Sequence, residues 1–137
     1  MSSRMLTAMM TVLAIIVGEA AVAVSIAEDQ PITRRDLLRA DLRGIDGKQT
    51  VIYIADVKPG GAGGRHTHYG DEFVYILEGQ LIVERVGKEP ITLKVGDLGH
   101  LTSDVVHAAR NGSGSESAKV LVILVVDKGK PLAEAVK

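Results

Sequence analysis

The sequence contains no cysteine and no tryptophan, and its 137 residues include only one phenylalanine and three tyrosines. The absence of cysteine excludes a disulfide framework, thiolate metal ligands and lipid attachment through a cysteine. Because aromatic side chains are scarce, aliphatic residues must build the hydrophobic core. Neither sign of charge dominates, since 16 basic residues stand against 17 acidic ones and the net charge is −1. A near-neutral chain gives no electrostatic reason to expect nucleic acid or an anionic membrane as a partner.

An uncharged apolar run, Met5–Gly18, follows Arg4 near the N-terminus. A basic start, a short apolar segment and small residues that resemble a cleavage site are typical of a secretory signal peptide. Glu19 ends the run, which leaves it shorter than the roughly 20 residues that a membrane-spanning helix needs. We therefore predict a signal peptide over residues 1–27, cleavage before Glu28, and a periplasmic or secreted protein without a stable membrane anchor. A buried or anchoring N-terminal helix is the alternative.

The part that follows divides into an N-terminal arm, residues 28–48, and a domain over residues 49–137. Within the arm, Thr33–Arg43 has leucines at helical spacing, a threonine suited to an N-cap and a glycine directly after it. These features predict a short helix or an extended arm.

Short β-type runs separated by turn residues fill the domain. Seven runs are predicted as strands: Thr50–Val57, Glu72–Leu77, Gln80–Arg85, Ile91–Lys94, Leu98–Thr102, Val105–Arg110 and Ala118–Val126. Their regular spacing without intervening helices favours an all-β antiparallel sandwich or barrel. The tight connection at Gly79 predicts a hairpin between the second and third of these runs.

Three of the four histidines belong to one pattern with a glutamate. His66 and His68 are two residues apart, so on a strand their imidazoles point to the same side. Gly70 provides a turn that returns the chain at Glu72. His107 lies on a late strand, which only a closed or sandwiched sheet would bring back to this place. Three imidazoles and one carboxylate are a sufficient ligand set for a transition metal, whereas a histidine pair alone is as often exposed and metal-free.

These residues resemble the two motifs of the cupin superfamily. Gly60, His66, His68, Glu72 and Gly79 match the first motif at every spacing. Gly96, His107 and Asn111 match the second, in which Thr102 replaces a proline and Asp104 replaces a glycine. The two departures fall in the turn before the histidine strand and leave the ligand itself in place.

The resemblance covers about Val51–Val126. Over this range the chain is similar to single-domain bacterial cupins. It implies a small double-stranded β-helix, or jelly-roll barrel, in which His66, His68, Glu72 and His107 bind a metal. Such nitrogen and oxygen ligands suit Fe(II), Mn(II), Ni(II), Cu(II) or Zn(II), and affinity alone does not choose among them. No organic cofactor is expected.

Positions left open on the metal would admit a small oxygenated molecule, water or dioxygen. The resemblance allows a metal-dependent, dioxygenase-like oxidoreductase, a decarboxylase or an isomerase. The alternatives are a non-catalytic periplasmic protein that binds or senses a small molecule, and a scaffold whose metal serves stability alone. No catalytic residue is identified; Tyr69, His100 and Arg65 are candidates for substrate contacts, with surface or structural roles as the alternative.

The run Val120–Val126 is apolar on both strand faces, so its outer face needs a cover. The N-terminal arm and a second copy of the chain both qualify. Because Phe73, Tyr75 and Leu77 form an outward row on a neighbouring strand, we predict a homodimer.

Overall fold

A computed structural model describes residues 30–137, and the predicted signal peptide lies outside this range. The described residues form ten strands: β1 Ile32–Asp41, β2 Lys48–Val57, β3 His66–Thr67, β4 Gly70–Glu78, β5 Gln80–Arg85, β6 Ile91–Lys94, β7 Leu98–Leu101, β8 His107–Asn111, β9 Ala118–Asp127 and β10 Glu134–Ala135. No helix occurs between residues 30 and 137, and hence none in that range with the length and apolarity to cross a membrane. The predicted all-β class is confirmed.

The strands form two five-stranded sheets whose pairings are all antiparallel. The first sheet has the order β1-β2-β9-β4-β7, and the second has the order β10-β3-β8-β5-β6. Inward residues of both sheets make one core, which contains Val51, Ile76 and Leu124 from the first and Leu81 and Val83 from the second. Every fully buried large side chain in the described range is aliphatic, as the composition predicts.

The N-terminal arm is extended, not helical. Its strand β1 pairs with β2 along nearly its whole length, with a bulge between Asp36 and Leu38. Leu37 and Leu38 are each 48% exposed, so the leucines that suggested a helical face are not buried. Pairing with an edge strand satisfies the backbone hydrogen-bonding groups along one side of the arm, and this decides the conformation that leucine spacing left open.

The predicted hairpin at Gly79 is wrong. β4 belongs to the first sheet and β5 to the second, so the two strands do not pair. Gly79 has φ +71°, and a Cβ added there would lie 2.7 Å from the carbonyl oxygen of Ser117. The glycine therefore carries the chain around a crowded corner between the two sheets, where a hairpin was expected.

Small differences in strand limits also affect the site. β8 begins at His107, not at Val105, because the Val105 amide donates to the carbonyl oxygen of Thr102 in a turn (3.1 Å). β3 and β10 have two residues each, too few for an alternation of apolar and polar residues to reveal them.

Candidate metal centre

The structure brings His66, His68, Glu72 and His107 together. One potential ligand atom from each lies within 4.8 Å of the others. His66 on β3 is paired with His107 on β8, and their ring centroids are 4.4 Å apart. Glu72 reaches the cluster from β4, in the opposite sheet. The closing of the two sheets over one interior thus unites residues that are distant in sequence.

Gly70 allows β4 to begin in the right place. A Cβ at this position would lie 2.0 Å from the carbonyl oxygen of Val125 on β9. Only glycine can approach the neighbouring backbone so closely. The close approach sets the register in which Glu72 lies opposite Leu124 and points into the interior.

Each imidazole of the cluster is oriented by a backbone carbonyl group. Nδ1 of His66 lies 2.8 Å from the oxygen of Gly64, Nδ1 of His107 lies 3.0 Å from that of Val105, and Nδ1 of His68 bonds that of Leu132. A carbonyl oxygen only accepts, so each Nδ1 carries the proton and donates it. The tautomer is therefore fixed, and each Nε2 is left with a lone pair suited to a metal.

Two of these Nε2 atoms, those of His68 and His107, are buried, and as lone-pair acceptors they have no donor among residues 30–137. They lie 3.2 Å and 2.9 Å from Oε2 of Glu72. Nitrogen lone pairs directed at an ionised carboxylate repel it unless a cation lies among them. The donor set therefore fits a divalent transition metal, which is the group that the sequence motifs imply.

Without a metal, protons on Nε2 take the place of the cation. Burial favours the neutral acid of Glu72, but the hydrogen bonds that His107 and His68 then donate through Nε2–H outweigh burial and lower its pKa from 4.5 to about 2. Burial also disfavours the charged form of His68, yet bonding to Glu72 raises its pKa above 6.5. Burial lowers the pKa of His66. Glu72 is consequently ionised throughout the physiological range.

One phenol near the cluster was not identified from the sequence. Tyr53 faces inward from β2, and its pKa is raised to about 12 by burial, with a further contribution from the negative charge of Glu72. Its hydroxyl group therefore keeps its proton. The Arg34 guanidinium lies over its ring at 4.1 Å from the centroid.

Asn111, the last residue of the second motif, has a structural position. Its buried side-chain nitrogen donates to the carbonyl oxygens of Val57, Lys58 and Glu116, and its oxygen accepts from the Ser113 amide. These bonds tie the polar loop after β8 to the end of β2. The side chain of Asn111 is thus engaged with backbone groups, which is a structural role.

The three candidates for substrate contacts lie at the surface or rim. His100 is exposed on β7, where it stacks on Phe73 with a centroid distance of 4.5 Å and lies 3.4 Å from a carboxylate oxygen of Asp71. Tyr69 donates its hydroxyl proton to Glu134 (2.6 Å). Arg65 is exposed, but it lines a cavity of about 280 Å³ beside His107.

Two features of the site were missed by sequence reasoning. The Leu132 carbonyl group that orients His68 carries no side-chain signal at all. Arg85 lies opposite His107 in the strand ladder and shares the inward positions of Leu81 and Val83. The alternation along β5 could have revealed Arg85, had the pairing of β5 with β8 been known.

Comparison with known proteins identifies one matching family model and many solved structures with a similar fold. The family model described as "Cupin domain" matches residues 53–124, more than half of the chain. No curated protein matches the sequence.

Among solved structures, a cupin-like protein from Thermotoga maritima is 23% identical, with a TM-score of 0.63, and the match covers 77% of this chain and 75% of that one. A polyketide cyclase from Streptomyces resistomycificus is 20% identical, with a TM-score of 0.61 and coverage of 78% and 72%. A DMSP lyase from Ruegeria pomeroyi is 22% identical, with a TM-score of 0.60 and coverage of 74% and 50%. These likenesses confirm the predicted double-stranded β-helix.

Proposed function

The chain belongs to the cupin domain family, and from this premise we propose that it binds one divalent transition metal ion and uses the ion to hold a small oxygenated molecule. One observation carries the proposal: three imidazoles with fixed tautomers and one ionised carboxylate converge within 4.8 Å. Four protein ligands leave positions open on an octahedral ion, and the bound ion supplies a Lewis acid for an oxygen of the ligand molecule.

The residues of the chain have separate tasks in this site. The Nδ1–H bonds of the three histidines hold the rings in the orientation that directs Nε2 inward. Glu72 contributes negative charge, and as a metal ligand it would have its carboxylate engaged, which makes it a poor general base. Tyr53 holds a proton on its hydroxyl group. The metal and its ligands would therefore orient a bound substrate, but few side chains beside it could accept or donate a proton.

Metal-dependent catalysis is the first form of the proposal. Similar folds include a lyase and a cyclase, so turnover is compatible with a barrel of this kind. We include oxygen-dependent cleavage, decarboxylation and isomerisation as reaction types. Metal-loaded protein incubated with panels of oxo acids and phenols should form product or consume oxygen, and a His66→Ala variant should do neither.

Binding without turnover is the second form, and one observation favours it. The buried titratable side chains among residues 30–137 are His68, Glu72 and His107, all of them predicted ligands. If a compound of the panel binds to the metal-loaded protein and no compound of the panel is chemically converted, the result would support this form. Full ligand binding by a His66→Ala variant that has lost its metal would contradict both forms.

Metal identity and export are tested on native material. Elemental analysis of protein purified from its own compartment should give about one transition metal ion per chain. We also propose that the apolar run Met5–Gly18 directs export and is removed. N-terminal sequencing should then begin at Glu28, and an intact Met1 in the mature protein would contradict export by cleavage.

A further inference from the structure

A row of three side chains crosses the second sheet on its inner face. His66 pairs with His107, and His107 pairs in turn with Arg85. Side chains directly opposite each other in an antiparallel ladder lie on the same face, with Cβ atoms about 4.5–5.5 Å apart. Arg85 thus stands next to a predicted metal ligand, at the end of β5 where Leu81 and Val83 have already turned inward.

The row opens into a cavity of about 280 Å³. Its lining comprises Arg65, Glu84, Arg85, Val86, Gly87, Lys88, Pro90, His107 and Ala108. Three of these residues are cationic and one, Glu84, is acidic. Oε1 of Glu84 accepts a hydrogen bond from Nε of Arg110 at 3.0 Å, which neutralises part of its charge. The cavity is therefore electropositive beside His107.

The guanidinium of Arg85 has unused hydrogen-bonding capacity. Nη2 donates to the carbonyl oxygen of Glu89 at 3.3 Å. Nε is buried and has no partner among residues 30–137. A buried donor on a charged group is costly when it stays unpaired. A planar guanidinium binds a carboxylate through two parallel hydrogen bonds, so an organic acid is the ligand that this group fits best.

We propose that the cavity binds the carboxylate of a small organic acid through Arg85, with Arg65 and Lys88 supplying positive charge at its rim. The inference rests on the proposed function, because it names the class of molecule that the metal centre holds. The volume of about 280 Å³ lies just below the usual range of ligand pockets, about 300–1,000 Å³, and it suits an acid of a few carbon atoms. A hydroxyl group on the same molecule would be the oxygen presented to the metal.

Calorimetry with zinc-loaded protein tests the proposal. The probes are glycolate, 3-hydroxypropanoate and 4-hydroxybutanoate, together with the amide of each acid. At least one acid should bind, and its neutral amide should bind about 10-fold or more weakly. Arg85→Gln should weaken binding of that acid by about 30-fold or more, as expected when one partner of a buried charge pair is removed. Arg85→Lys keeps the charge without the planar fork and should fall between these limits.

Arg43→Gln is the matched control, because Arg43 is exposed in the turn after β1 and lines none of this cavity. It should bind the acid like the wild type. Zinc content and melting temperature should be unchanged in all three variants, which separates loss of the anion site from loss of the metal or the fold. A chemical shift change of the Arg85 Nε–H signal on adding the acid gives a direct readout without turnover.

The outcomes distinguish the two proposals. Equal affinity for acid and amide, or no effect of Arg85→Gln in zinc-loaded protein, would overturn the carboxylate site and leave the metal centre intact. Binding of inorganic phosphate as tight as that of the best acid would overturn the assignment to carboxylates. Arg85-dependent acid binding by a protein that takes up no metal would support the anion site and contradict the proposed function.

Discussion

The carbonyl oxygen of Leu132 accepts a hydrogen bond from Nδ1 of His68, although 64 residues separate the two in the sequence. The C-terminal segment also contacts the residues just before His68. Ala135 pairs with His66 between β10 and β3, and the Val136 amide donates to the carbonyl oxygen of Arg65 at 3.0 Å. The last residues of the chain therefore orient the predicted ligands.

Removal of residues 130–137 should weaken metal binding. The loss leaves His68 without the acceptor that fixes its tautomer, and changes of this kind typically cost 10- to 100-fold in metal affinity. Competition with a chelator of known affinity measures the effect. Tyr69→Phe is the control, since it removes only the hydrogen bond to Glu134 and should change affinity much less. Equal affinities of the truncated and full chains would refute this role.

Metal removal should lower the thermal stability. A metal present at 100 times its dissociation constant stabilises the folded state by about 2.7 kcal/mol, which for a domain of this size corresponds to roughly 10–20 °C in melting temperature. Scanning calorimetry with and without a chelator should show this shift in the wild type, but not in Glu72→Gln or His107→Ala. His100→Ala removes the one histidine outside the cluster and should keep the full shift.

Acid should remove the contribution of Glu72 to the stability of the metal-free protein. Its folded pKa is lowered from 4.5 to about 2, so the stabilisation is complete above pH 4.5 and disappears as the pH falls towards 2. The shift corresponds to about 3 kcal/mol. Urea unfolding in the presence of a chelator should show wild type and Glu72→Gln differing by about this amount at pH 6 and converging in acid. A constant difference would be inconsistent with the lowered pKa.

Asn111→Ala should destabilise the fold without removing the metal site. The substitution leaves a buried backbone carbonyl group at Val57 and partly buried groups at Glu116 and Ser113 without their partner. A fully buried unpaired group costs about 1–3 kcal/mol, and the partly buried groups cost less. Asn111→Asp should be at least as harmful, because a carboxylate would face carbonyl oxygens. Urea titration measures the loss, and the fraction that stays folded should bind one metal per chain. Loss of metal from fully folded variant protein would argue that Asn111 serves the site directly.

The outer face of the first sheet is the surface that we propose for the homodimer. Two apolar rows cross its central strands: Ile52, Ile123 and Phe73 in one, and Ile54, Leu121 and Tyr75 in the other. The arm forms the β1 edge of this sheet. Ile54, near that edge, is only 6% exposed, whereas Tyr75 and Leu98 towards the other edge are 39% and 63% exposed. Burying such a face against a second copy would remove this apolar area from water.

Sedimentation at micromolar concentration should therefore show a dimer. The double variant Tyr75→Lys with Leu98→Lys should be monomeric, since four new charges would face each other across the symmetric interface. Val86→Lys is the control, because Val86 is 61% exposed outside this face, and it should stay dimeric. Sedimentation of the wild type as a monomer at this concentration would refute the proposed homodimer.

The local sequence predicted much of this protein. Alternating apolar residues located the seven longer strands of the domain, and the fixed spacing of His66, His68 and Glu72 singled out the cluster that His107 completes. Such signals are readable because side-chain direction on a strand follows from position alone. The extended form of the arm and the corner at Gly79 were not readable in this way, since both depend on which strands meet.

Tertiary structure decided the surroundings of the cluster. The acceptor for His68 is a backbone carbonyl group, and every residue carries one, so composition cannot mark Leu132 out. Only the register between β5 and β8 places Arg85 beside His107 and so makes it a candidate for ligand binding. The sequence by itself determined which side chains can bind a metal, because that depends on their chemistry. Only the pairing of strands from distant parts of the chain determined what surrounds them, because register and closure are properties of the assembled sheets.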